Sequence, residues 1–277
     1  MRRPIRPAFA SFQEGAPGSG IGRYRDERPA GPEKGTVLLL HGWAGTADLN
    51  WSHAYPQLLA AGYRVLAPDL PGHGRGARDV RFTLEVAADA AAKLITDAGA
   101  GKVVVAGHSM GGSIALLLAS RHLEAVSGLV VMATQLSWPG IPPGWLLRPA
   151  GRLAALGARA ILRWGGRTIL GSDPERNLWI RRELQVASIP HLADALAALR
   201  DFDARSLVRA IDIPAVVLVT SLDTLVPPDR QRQLAAAIPN AEVIEVAIDH
   251  SDPPSRPGHF PQRLVEAVER CFEKAPD

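Results

Sequence analysis

The residues best suited to chemistry in this chain are a serine and the glycines around it. Lys102-Val-Val-Val-Ala106 is an apolar run leading into Gly107-His108-Ser109-Met110-Gly111-Gly112, and Ser113-Ile-Ala follows with helical character. A serine on a sharp strand-to-helix turn takes up strained backbone angles, so the positions two before and two after it must lack bulk. The hydroxyl is then presented at the end of a strand, beside the backbone N–H groups of a helix amino terminus. Such a serine attacks acyl carbons. Its hydroxyl is a poor nucleophile at neutral pH, so a base must take its proton and an acid must orient that base.

The elements that would hold these groups recur along the chain. Short apolar runs at Thr36–Leu40, Tyr63–Pro68, Lys102–Ala106, Gly128–Met132, Ala215–Val219 and Glu242–Val246 fit strands buried on both faces. Ser52–Ala61, Leu84–Ala98, Gly111–Leu123, Pro228–Ile238 and Pro261–Glu273 carry apolar residues at helical spacing. Alternating strands and helices predict an α/β fold: a mostly parallel central sheet with helices on both faces. The first 35 residues, rich in Gly, Pro and Arg, offer at most one or two weak strands.

Residues 135–205 break the alternation. They contain no strand-like run, hold four of the six tryptophans and are too long for a simple loop. They predict a helical cap inserted after a strand's carboxyl end, where open α/β sheets bind ligands. The core is then 1–134 with 206–277.

Composition narrows the functional classes. Of 277 residues, 47% are apolar and 21% charged, which suits a packed globular core and excludes a disordered chain. Cys271 is the single cysteine, so neither an internal disulfide nor a thiolate zinc cluster can form. A net charge of +3 is too balanced to indicate a nucleic-acid partner. No apolar segment has the length of a membrane span, and the amino terminus has no signal-peptide core, so a cytoplasmic location is expected.

With these motifs in order, the chain from about Thr36 to Phe272 resembles the α/β-hydrolase fold family, its esterase and lipase-like branch. His41-Gly42-Trp43-Ala44-Gly45 is similar to the loop that supplies half of that family's oxyanion hole. Asp69-Leu-Pro-Gly72-His73-Gly74 is similar to the turn after the next strand, and Gly107–Gly112 to the nucleophile elbow. The resemblance implies Ser109 as nucleophile, with the N–H groups of Met110 and Trp43 as oxyanion donors. Its order of nucleophile, acid, histidine implies Asp223 as the acid, just past the Ala215–Val219 run. Asp203 and Asp212 precede that strand and fit less well. For the base there are two candidates. His250 follows the last strand, and Arg256-Pro257…Phe260 resembles the segment that commonly comes next; His259 lies in a Gly-His-Phe string that also resembles the histidine turn. His250 is preferred for its place at the strand end, although Asp249 stands where the family usually has glycine.

The expected activity is hydrolysis of a small-molecule carboxylic ester, with a hydrophobic acyl or aromatic group, through an acyl-enzyme that water resolves. No cofactor and no metal are implied, since no histidine pair has ligand spacing with an acidic partner. The same serine would also serve a C–C bond hydrolase, a thioesterase, an acyltransferase or a cofactor-free peroxidase, and a silent ligand-binding member is a further alternative. Arg148, Arg152, Arg159, Arg163 and Arg167 form an acid-free basic cluster in the cap. It reads either as a solvated helix face or as a weak contact for anionic lipid or an acidic carrier.

Overall fold

The six apolar runs become the last six strands of an eight-stranded sheet. The computed structural model describes residues 12–16, 19–141, 174–251 and 258–275. The strands are β1 (Gln13–Glu14), β2 (Arg23–Glu27), β3 (Gly35–Leu40), β4 (Tyr63–Pro68), β5 (Val103–His108), β6 (Val126–Met132), β7 (Ala215–Thr220) and β8 (Glu242–Val246). Their order is β1-β2-β4-β3-β5-β6-β7-β8. Only β1 and β2 pair antiparallel; every pairing from β4 to β8 is parallel. The glycine-rich start thus adds two strands to one side of the sheet, β1 at its edge and β2 between β1 and β4.

Because side chains alternate along a strand, each apolar run feeds two cores. Leu38, Leu40, Val103, Val105, Leu129 and Val131 pack under α3 (Leu84–Asp97) and α4 (Met110–Arg121), and Val217 and Val219 beside Leu234 and Ala235 of α7 (Pro228–Ala237). Val37, Leu39, Val104, Ala106, Val130, Met132, Val216 and Leu218 pack on the opposite face. That face is covered by α1 (Ala47–Trp51), α2 (Tyr55–Ala60) and the last helix, α8 (Phe260–Lys274). Each such side chain contributes about 1.5–3 kcal/mol when fully buried, and this two-sided covering fixes where the strand ends point.

Two local expectations shift. The single helix expected over Ser52–Ala61 is instead the pair α1 and α2. Thr46 caps the first, its Oγ1 accepting from Leu49 N at 3.1 Å, so the helix begins before Ser52. Pro56 has no N–H for the Ser52 carbonyl, which prevents one continuous helix. Strand β5 also runs two residues further than expected, since His108 pairs with Met132 of β6. The sheet therefore carries the chain up to the serine.

Within 135–205, the described residues form α5 (Pro174–Gln185) and α6 (Ile189–Asp201), with one isolated bridge between Ser137 and Asp203. Ala195 and Leu199 of α6 join the core that covers α3. The arginine cluster from Arg148 to Arg167 lies outside the described residues.

Cys271 is fully buried in α8, its thiol donating to the Leu129 carbonyl at 3.6 Å. Burial pushes it up to about 12, far from thiolate reactivity at neutral pH. The native protein should therefore leave a disulfide-exchange reagent such as DTNB unreacted at pH 8 and consume one equivalent in urea. Rapid native labelling would mean that α8 opens from the sheet.

Candidate active site

Ser109 sits between β5 and α4 with φ 55° and ψ −117°, a conformation that strains any side-chain-bearing residue. Its glycine neighbours are set by contact distances. A Cβ on Gly107 would fall 2.3 Å from the Gly111 carbonyl oxygen, and one on Gly111 would fall 2.1 Å from that of Leu40. One on Gly112 would meet Thr134 Oγ1 at 1.9 Å. The turn is tied to the next strand by Ser109 N, which donates to the Met132 carbonyl at 2.9 Å. The Ser109 carbonyl accepts from Gly112 N, starting the helix.

His250 meets this serine. Its Nε2 lies 3.1 Å from Ser109 Oγ, and its Nδ1 lies 2.8 Å from Asp223 Oδ2. With Nδ1–H donated to the carboxylate, Nε2 keeps a lone pair toward the hydroxyl, the tautomer a base requires. Asp223 is buried and surrounded by donors: Leu225 N at 2.9 Å, Val226 N at 2.8 Å and Thr220 Oγ1 at 3.0 Å. Burial works to raise its pKa, but the hydrogen bond and charge of His250, with the Val226 and Thr220 donors, outweigh it. The carboxyl is held below its ordinary range. Gln231 braces the loop, its Nε2 donating to Thr220 Oγ1 and to the Val226 carbonyl, both at 2.7 Å.

The acid and histidine loops are joined beyond their strands. Ser221 N donates to the Val246 carbonyl at 2.9 Å, and Leu222 N to that of Ile248 at 3.1 Å. These bonds extend the β7–β8 pairing and bring residue 250 beside residue 223. His259 is exposed at the amino terminus of α8, so the ring facing Ser109 and Asp223 is that of His250. Asp203 is also exposed and pairs with Arg205, while Asp212 is exposed before β7.

Of the residues expected to bind an oxyanion, Met110 opens α4, where the first N–H has no helical partner. Trp43 lies on the loop after β3, and its indole Nε1 donates to the Leu192 carbonyl of α6 at 2.9 Å. Asn50 completes the arrangement. Its Oδ1 accepts from Gly42 N at 3.2 Å, and its amide nitrogen lies 3.0 Å from His108 Nδ1. The Gly42 N–H is thus taken, and that of Trp43 is the next along the loop. Asn50 was not among the residues the sequence singled out, because its partners are only brought together by folding. Thr46-Ala47-Asp48, a helix-capping residue followed by an acid in the first turn, was the available signal for α1. Among the described residues, no group of three or more His, Cys, Asp or Glu side chains converges as a metal site would.

Three histidines pack around this machinery without charge. His41 donates through Nδ1 to the Gly42 carbonyl at 2.8 Å and accepts from Leu70 N through Nε2 at 2.9 Å. Burial, then the nearby His73, pushes it down to about 3. His108 accepts from Asn50 and is pushed down to about 3 by burial and then His250. His73 is lowered to about 4 by burial. Buried Asp69 moves the other way, up to about 6, by burial against the N–H groups of Arg75 and Ala47.

The fold and this site define a hydrolase. Residues 35–256 match the alpha/beta hydrolase fold family, and the chain belongs to it. It is similar to two proteins named pimeloyl-[acyl-carrier protein] methyl ester esterase. One, from Sodalis glossinidius, is 34% identical over 69% of this chain and 76% of its own. The other, from Citrobacter koseri, is 30% identical over 83% of this chain and 92% of its own. Among solved structures, a thermophilic esterase from Thermogutta terrifontis shares the fold, with a TM-score of 0.78 and 24% identity over 95% of this chain and 100% of that one. No helix among the described residues is long and apolar enough to cross a membrane.

The buried rings set the acid response of the fold. An unfolded histidine takes a proton near pH 6.5, whereas His41, His73 and His108 resist protonation to about 3 or 4 in the fold. Their contribution is complete above about pH 6.5 and is lost as pH falls toward the folded values, at about 1.4 kcal/mol per pH unit for each uncompensated proton. Asp69 opposes them: its raised pKa favours the fold at low pH and is lost as pH rises through about 6. Three rings against one carboxyl leave a net loss. Urea denaturation from pH 7.5 to 4.5 should show stability falling with pH; a flat profile would mean that the rings are protonated in the fold.

Proposed function

We propose that this chain, an ester-cleaving hydrolase, works through a Ser109–His250–Asp223 triad and an acyl-enzyme. The observation that carries the reading is the continuous hydrogen-bonded line from Asp223 through His250 to Ser109 Oγ. His250 Nε2 takes the Ser109 proton as Oγ attacks the ester carbonyl, and returns it to the leaving alkoxide. Asp223 orients the ring and stabilises its positive charge during transfer. The Met110 and Trp43 N–H groups receive the oxyanion, and water activated by the same histidine releases the acid. Losing one such donor typically costs about 100- to 1000-fold in rate.

The similarity to methyl ester esterases supports a simple-alkyl ester of an acyl chain as substrate, either free or carried on an acidic protein. Residues 135–205 are proposed as the cap that selects it. The indole bond from Trp43 to α6 supports this, since it ties the oxyanion loop to that segment. The arginine cluster at 148–167 is the proposed contact for an acidic carrier or anionic lipid.

Hydrolysis of p-nitrophenyl esters from acetate to palmitate, beside methyl esters of acyl chains free and on acyl-carrier protein, tests the reading. Ser109→Ala and His250→Ala should each lose about 10⁴- to 10⁶-fold in kcat, while His259→Ala stays near wild type. An inactive His259→Ala beside an active His250→Ala would reverse the histidine assignment.

A further inference from the structure

One buried carboxylate links the α5 helix to the oxyanion loop. Glu183 has a side chain only 4% exposed. Its Oε2 accepts from Thr46 Oγ1 at 3.0 Å and from Arg75 Nη1 at 2.9 Å, and its Oε1 accepts from Arg75 Nη2 at 2.9 Å. A forked arginine bond of this kind fixes direction as well as distance.

The Thr46 hydroxyl has one hydrogen, and it goes to Glu183. Its lone pairs are then left for Leu49 N, the cap that starts α1. With five residues, α1 is too short to hold itself and depends on that cap. Asn50 of α1 in turn holds Gly42 N and His108, the residues that immediately precede Trp43 and Ser109 in the chain. Arg75 returns to the same helix: its N–H donates to Asp69 Oδ2, and Asp69 Oδ1 accepts from Ala47 N, both at 2.8 Å. The ring is tight, since a Cβ on Gly74 would lie 2.4 Å from Asp69 Oδ2 and 2.8 Å from Thr46 Cγ2.

We infer that Glu183 is a positioning residue for the oxyanion site, acting through Thr46, α1 and Asn50 to hold Gly42 by its N–H, and so the following peptide that carries the Trp43 N–H. The inference rests on the proposed function of Ser109 and of the Trp43 N–H. It makes seating of α5 a condition for transition-state binding, because a misplacement of about 1 Å can cost about 100-fold in rate.

The test is steady-state hydrolysis of p-nitrophenyl butyrate together with inhibition by an alkyl boronic acid, whose tetrahedral adduct on the serine places an oxygen in the oxyanion site. Rates are normalised to the fraction labelled at completion by a fluorophosphonate. Glu183→Leu and Thr46→Val should each lower kcat about 10- to 100-fold, with KM within about threefold. Boronate affinity should fall in step with kcat/KM. Thr46→Ser and Glu183→Gln, which keep the hydroxyl and an acceptor for it, should retain most of the activity. The double variant Thr46→Val/Glu183→Leu should be no worse than either single one. Arg81→Ala, which removes a different ion pair to the helix pair at Asp194, should match wild type.

A rise in KM with kcat and boronate affinity unchanged would overturn the inference, leaving Glu183 a substrate-binding or structural residue. Losses that multiply in the double variant would overturn it as well. Ser109→Ala separates the two levels. If that variant is inactive while Glu183→Leu keeps wild-type kcat, this inference alone fails; if it still hydrolyses the ester, the nucleophile assignment fails and takes the inference with it.

Discussion

Less than a methyl group of space separates the strand that ends at His108 from the helix that begins at Met110. The carbonyl oxygens of Leu40 and Gly111 lie where side chains on Gly111 and Gly107 would have to go. That packing forces the chain through positive φ at Ser109, a cost of about 1–3 kcal/mol. The neighbouring strands and α4 hold it there because all of them are buried on both sides. The residues proposed for catalysis gather at this turn: Ser109 Oγ meets His250 Nε2, and Met110 opens the helix whose first N–H has no helical partner.

The surroundings are organised to keep charge in one place. Asp223 is the ionised group, stabilised by two backbone N–H groups, a threonine hydroxyl and the histidine it orients. The rings of His41, His73 and His108 are neutral, because burial makes a second proton costly. A neutral His108 beside His250, with ring centroids 5.0 Å apart, places no like charge against the His250 imidazole. In the proposed mechanism, a proton taken up by His250 would have Asp223 as its charged partner.

The site is also a junction between distant segments. Ser109, Asp223 and His250 come from the ends of three regions of the sheet, while the loop after β3 is held by Asn50 from below and by Leu192 and Glu183 from the 174–201 helices. Each contact is a single hydrogen bond, worth about 1 kcal/mol net between neutral groups and about 1.5–3 kcal/mol to the Glu183 carboxylate. Their joint effect is to define one position for the peptide at Trp43. Parallel pairing between β7 and β8, continued by the bonds of Ser221 and Leu222, does the same for the acid and the base.

The sequence by itself determined what is local. Apolar runs of strand length alternating with helical patterning specify an α/β sheet, and Gly-x-Ser-x-Gly specifies the turn, because both depend on neighbours within a few residues. Asp223 was reachable through the family resemblance, which implies an acid just past a late strand. The choice between His250 and His259 was not local: they are nine residues apart, and both fit a histidine turn. Only the tertiary structure shows which ring lies beside Ser109 and Asp223: it is that of residue 250, on a segment tied by the bond from Leu222 N to the Ile248 carbonyl. Asn50 and Glu183 were out of reach for the same reason. Glu183 lies 137 residues from Thr46, and a hydrogen bond over that separation leaves no periodicity or spacing in the chain; it exists only once the sheet has brought the two helices together.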